Sequence, residues 1–205
     1  MPTRQHWFDG WRLFALLSLT LLGLSIWIAG MWGFEVDGVR MVIRFTARTS
    51  LVLFCLAFAA AALARLWPNG STRWLRRNRR YLGVSFAASH AIHLAAIAAY
   101  AVMDPAGYAA ATSIGSYIFG GIGYAFILAM TATSFDRTAA AIGASAWRQL
   151  HLIGGYYLLF QFMVSFGKRI PDMPLYALFL IPLLAVFALR MIAMAPRAQA
   201  TARTG

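Results

Sequence analysis

Two histidines, His90 and His93, lie within SFAASHAIHLAAIAAY (residues 85–100), and a third, His151, sits in WRQLHLIGGYYLLFQF (residues 147–162). Imidazole is costly to place in hydrocarbon unless something binds it, so each is a candidate for chemistry. His90 and His93 are three residues apart, which puts them on adjoining faces of one helix. The fourth histidine, His6, belongs to the polar N-terminal tail and reads as solvated. The plain role for a histidine in an apolar run is a hydrogen bond to a neighbouring helix, and Ser85, Ser89, Tyr100, Tyr124 and Tyr156 could supply one. The chemical role is ligation of a metal. Zinc wants three or four converging Cys, His or carboxylate ligands. No acid interrupts an apolar run, since Asp104, Asp136 and Asp172 flank the ends, so zinc is disfavoured, as is a proton or cation path. Haem needs one or two axial imidazoles and an apolar slot for its ring. Gly154 and Gly155, one turn after His151, and Gly83, Ala87 and Ala91 beside His90 and His93, could open such a slot. Close helix packing is the other use of small residues in membranes, and both can hold at once. Met163 is ordinary filler or, through its thioether, an axial haem ligand.

The elements that carry these residues must cross a bilayer. Of 205 residues, 61% are apolar and 12% are charged, against about 25% charged in a soluble domain. Six stretches are long and apolar enough to span: Leu13–Trp32, Thr46–Trp67, Tyr81–Val102, Ser113–Phe135, Gln149–Phe166 and Pro174–Met194. Short links such as MDPAG and GKRIPDM read as turns. The glycines of the fourth stretch, Gly115, Gly120, Gly121 and Gly123, read as packing residues. The aromatics near the span ends (Trp67, Trp74, Tyr108, Trp147) read as interfacial anchors. The net charge of +12 sits at the ends of apolar runs, which argues for a membrane orientation signal and against nucleic acid. Placing both termini inside puts thirteen basic residues on the inner side, including Arg76, Arg77, Arg79, Arg80, Arg148 and Arg190. Arg40, Arg44, Arg48, Lys168 and Arg169 remain outside. Both termini are therefore expected in the cytoplasm, with the third and fifth spans running the same way. The arginine run at 76–80 reads first as that orientation signal, and second as a dock for an acidic electron donor or anionic headgroups. Cys55 has no cysteine to pair with, and no cleavable leader is expected.

RRYLGVSFAASHAIH and WRQLHLIGGYYLLF, with the second-span stretch ARTSLVLFCLAFAAAALARLWP, resemble the ferric-reductase-like transmembrane domain family. Within it they are most similar to the haem b membrane subunits of methionine sulfoxide reductase systems. Leu82, Gly83 and His93 match one motif of that group; Trp147, Leu150 and His151 match the other. The resemblance covers roughly residues 46 to 190. It departs at Val164, thirteen residues after His151, where the family usually places another histidine. That leaves four alternatives: Met163 substitutes, helix tilt pairs His90 or His93 with His151, one haem is five-coordinate, or haem is lost.

The expectation is an all-α, polytopic membrane bundle of six transmembrane helices, comprising a tail at 1–12, a transmembrane domain at 13–194 and a tail at 195–205. It is expected to hold one or two b-type haems on His93, His151 and His90. The resemblance implies electron transfer across a bacterial inner membrane to an acceptor or partner protein outside. About ten residues follow the last span, so the donor is expected to be a separate reductase or the quinone pool, with a flavin or quinone at the cytoplasmic side a further candidate. The alternative is a haem-free scaffold or partner subunit whose histidines are only hydrogen-bonded.

Overall fold

The computed structural model describes residues 8–195, so His6, Arg4, Arg197 and Arg203 lie outside the described residues. The chain is an all-α, multi-pass membrane bundle. Its elements are α1 (Gly10–Met31), α2 (Val36–Leu66), α3 (Gly70–Met103), α4 (Pro105–Ala111), α5 (Ile114–Ala132), α6 (Asp136–Gly167), a 3₁₀ segment (Pro174–Phe179) and α7 (Leu180–Met194). Six of these segments, counting the 3₁₀ segment with α7, are long and apolar enough to cross a bilayer. The link 168–173 is a turn, as its Pro and Asp suggest.

Three helices extend well beyond the apolar stretches that signal them. α2 starts ten residues before Thr46, α3 eleven before Tyr81 and α6 thirteen before Gln149. Apolarity marks where lipid begins, not where a helix ends. In the extended part of α2, Val39 and Val42 bury themselves against Ala96 and Tyr100 of α3, so packing continues the helix through its arginines. MDPAG is likewise more than a turn. The Asp104 side chain accepts a hydrogen bond from the Gly107 N–H at 2.9 Å, and Pro105 occupies the first turn of α4.

α2 and α3 form the centre, with α1 against both, α7 on α2, and α6 bridging α7 to α5. The run CLAFAAAALA lets α3 and α7 approach α2, and Ala59, Ala60 and Ala62 are buried there. α5 is peripheral: of its residues only Gly123 and Ile127 are buried. Gly123 packs against Tyr157 and Leu158 of α6, whereas Gly120 and Gly121 have no neighbour within 4 Å of an added Cβ. Those two are not packing residues, because the helix that carries them touches the bundle along one edge.

A polar ladder joins α2 to α3. Ser50 Oγ donates to Ser89 Oγ at 2.8 Å, Thr49 Oγ1 lies 3.3 Å from Ser89 Oγ, and Thr46 Oγ1 lies 2.9 Å from His93 Nδ1. Thr46, Ser50 and Ser89 are wholly buried. Without a hydrophobic drive between helices in lipid, such bonds and close packing are what hold a pair together.

α3 opens on a capping box. Asn69 Oδ1 accepts from the Thr72 N–H and Thr72 Oγ1 accepts from the Asn69 N–H, each at 3.0 Å. Asn69→Ala should lower stability by about 1 kcal/mol, read as a lower midpoint of thermal unfolding in detergent. An unchanged midpoint would show that this end of α3 is held by packing alone.

Candidate functional site

The histidines fall into two layers. In the layer farther from the termini, His90 and His93 have ring centroids 5.6 Å apart. With the Thr46 hydroxyl proton assigned to the Val42 carbonyl 2.7 Å away, Thr46 Oγ1 accepts from His93, which assigns the ring proton to His93 Nδ1. That leaves the lone pair on His93 Nε2, the arrangement in which a histidine ligates metal while its other N–H is held in place. His90 is packed between aromatic rings, with Phe86 at 4.6 Å, Tyr124 at 5.8 Å and Phe162 at 5.9 Å. Its Nδ1 is shielded from solvent and has no hydrogen-bond partner. The Tyr124 hydroxyl bonds the His90 backbone carbonyl at 3.3 Å rather than the ring. Phe86 touches both the His90 ring and the space beneath this layer.

That space is a cavity of about 710 Å³ bounded by α2, α3, α5, α6 and α7. His151 lines it, together with Gly83, Gly155, Phe54, Phe58, Phe86 and Trp147. Six arginines complete the lining: Arg76, Arg77, Arg79, Arg80, Arg148 and Arg190, with no acid among the lining residues. Asp136 pairs with Arg80 at the surface. The other five guanidiniums make it a positive, anion-attracting site. Arg190 reaches back from the last turns of α7, its Nη1 donating to the Phe58 carbonyl at 3.1 Å and its Nε to the Tyr156 hydroxyl at 3.3 Å. The guanidinium lies 4.1 Å from the centre of the Phe58 ring.

His151 is held by α5 and by its own helix. Its Nε2 lies 3.2 Å from Thr133 Oγ1, which itself donates to the Ala129 carbonyl at 2.7 Å. The Trp147 ring centroid is 4.5 Å from that of His151, and the Trp147 indole N–H donates to the Thr133 carbonyl at 2.9 Å. Trp147 is thus part of the cavity wall, not a free interfacial anchor.

The two glycines behind His151 differ. A Cβ on Gly155 would meet the Phe58 ring at 2.9 Å, and Gly155 lines the cavity. A Cβ on Gly154 would meet Met130 and Phe126 of α5 at 2.9 Å, so Gly154 serves the α5–α6 contact and does not face the cavity. Met163 packs against the core next to Phe162, away from the cavity, and Val164 is 45% exposed on the outer side of α6.

Pairing of His90 or His93 with His151 by helix tilt does not occur. His90 packs on Phe162, and eleven residues of α6 separate Phe162 from His151, about 16 Å along the axis. Metal–imidazole bonds are about 2 Å long, so one iron cannot bridge layers that far apart. Among the described residues, no group of three or more His, Cys, Asp and Glu could hold a metal ion. Sequence reasoning found the histidines but not Thr46, Thr133, Phe58 or Arg190. Threonine is unremarkable in a helix, and Arg190 reads as an end charge until α7 is seen against α2.

No family model, no curated protein and no solved structure matches this chain.

Proposed function

We propose that the protein is a membrane-embedded haem b carrier of the ferric-reductase-like kind, similar to the MsrQ subunit, moving electrons across a bacterial inner membrane. The observation that carries this reading is the 710 Å³ cavity, whose described lining combines one imidazole with six arginines and no acid. The residues fit the group. His151 would take the iron as its single imidazole, exchanging the Thr133 contact for the metal bond. Arg76, Arg79 and Arg190 would pair with the two carboxylates of the macrocycle, a match guanidinium makes by paired hydrogen bonds. Phe58, which covers Gly155, and the bare face of Gly83 would border its plane. Bound haem would supply a one-electron carrier at the end of the bundle bearing the termini.

In the other layer, Thr46 would hold the proton on His93 Nδ1, leaving Nε2 for a second metal centre. The arginine rim would receive electrons from an acidic reductase or from a flavin or quinone at the cytoplasmic side. The far end would pass them to an external acceptor.

One observation favours a second reading, a haem-free bundle acting as a scaffold or partner subunit. His93 and His151 each have a threonine partner inside the bundle. A reduced-minus-oxidised visible spectrum separates the two readings. Protein made with ample haem supply should show a Soret band and reduced b-type bands. Their absence would leave the scaffold reading.

A further inference from the structure

At the end of the bundle away from the cavity, α1 and α2 enclose a groove of about 320 Å³. Its walls are Ile28 and Met31 from α1, Trp32 just past its end, and Met41 and Phe45 from α2, with Arg44 and Arg48 also in the lining. The two arginines belong to a stripe, Arg40, Arg44 and Arg48, repeating every four residues on the exposed face of α2. Arg40 has an acid, Asp37, at 3.8 Å. Among the described residues no carboxylate lies within 4 Å of Arg44 or Arg48. Arg44 reaches only the Met41 sulfur, at 3.4 Å, and Arg48 lies over the Tyr176 and Phe179 rings at 5.9 and 5.5 Å.

We infer that this groove is a binding site for one anionic phospholipid of the leaflet at that end, its acyl chain against the apolar walls and its phosphate between Arg44 and Arg48. Three features point to a lipid. The site is half hydrocarbon and half guanidinium, as an amphiphile is. Its cations are one helical turn apart, a spacing that lets both reach the same phosphate. Trp32 at its mouth is a residue type that settles at the headgroup level. A zwitterionic lipid brings its own cation to the two arginines, so an anionic headgroup is favoured. The inference stands independently of the haem reading.

The test uses the full chain in phosphatidylcholine nanodiscs titrated with phosphatidylglycerol or phosphatidylcholine carrying brominated acyl chains. The fluorescence lost in Trp32→Phe is taken as the Trp32 signal. Trp32 should reach half-quenching at a brominated phosphatidylglycerol fraction about tenfold below that for phosphatidylcholine. Arg44→Gln with Arg48→Gln should bring the two values together. If that variant fails to fold, raising the salt on the natural chain should narrow the gap in the same way. Added inorganic phosphate should leave the preference intact. Equal half-quenching by the two lipids in the natural chain would overturn the proposal and leave the groove to an acidic protein. Displacement of the lipid by inorganic phosphate would overturn it in favour of a soluble anion.

Discussion

On the proposed haem reading, His151→Ala should strip the haem at the end of the bundle bearing the termini, lowering that Soret contribution by at least about tenfold while helix content stays unchanged. Among the described residues the cavity has one imidazole in its lining, so no described neighbour can take over the iron. Thr133→Val makes the test discriminating. If the histidine is a ligand, removing the Thr133 hydroxyl frees its Nε2 and haem content holds or rises. If the pair is purely structural, both variants lose thermal stability together and neither has haem to lose. In the other layer, His93→Ala should cost more haem than His90→Ala, because His93 has a fixed tautomer and His90 has an unpartnered Nδ1 within an aromatic cage. Haem lost from His90→Ala and kept in His93→Ala would move the ligand one turn along α3 and refute the role given to Thr46.

Gly38→Leu should destabilise the protein by about 1–3 kcal/mol, the usual range for forcing atoms into a packed interface. A Cβ there would lie 2.9 Å from the Trp32 Cβ, 3.0 Å from the Ala29 carbonyl oxygen and 3.3 Å from the Ala29 Cα. Two of those neighbours are backbone, which cannot rotate away, so α1 must move off α2. The tight turn between the helices offers little slack, with Gly33 at φ 63° and Phe34 at φ 58°. The matched control is Gly120→Ala on α5, where nothing lies within 4 Å. There the gain in helix propensity, up to about 1 kcal/mol, should appear unopposed. Thermal unfolding in one detergent reads both. A Gly38→Leu midpoint equal to or above that of the natural chain would mean that the α1–α2 contact contributes nothing to stability.

Hydropathy located the six crossings because hydrocarbon admits few charges over about 20 residues, a constraint that leaves a long, plain trace in sequence. It could not locate the helix ends, because Arg40, Arg44 and Arg48 remain helical on the exposed face while Val39 and Val42 pack inward. DPAG illustrates a different ambiguity. The residues that favour a turn, Asp and Pro, are also those that begin a helix, and only the Asp104–Gly107 bond decides between them. The histidines were legible for the opposite reason to the apolar residues, since a polar ring in such a run needs an explanation. The cavity was not legible. It requires the C-terminal end of α5, the start of α6 and the end of α7 to meet against α2 and α3, and no local pattern records which helices become neighbours.

The hydroxyls and imidazole between α2 and α3 also decide which alignment of the two helices is allowed. Lipid-facing alanines and leucines are interchangeable from one turn to the next, so apolar contact alone would let α3 slide along α2. Slipping α3 by one residue would rotate Ser89 and His93 by about 100° away from Ser50 and Thr46. Each would then face hydrocarbon without its partner. The ladder therefore penalises misalignment at several points at once. Every residue that enforces it lies between Thr46 and His93, so the instruction for seating α3 on α2 is complete before α5 has been synthesised.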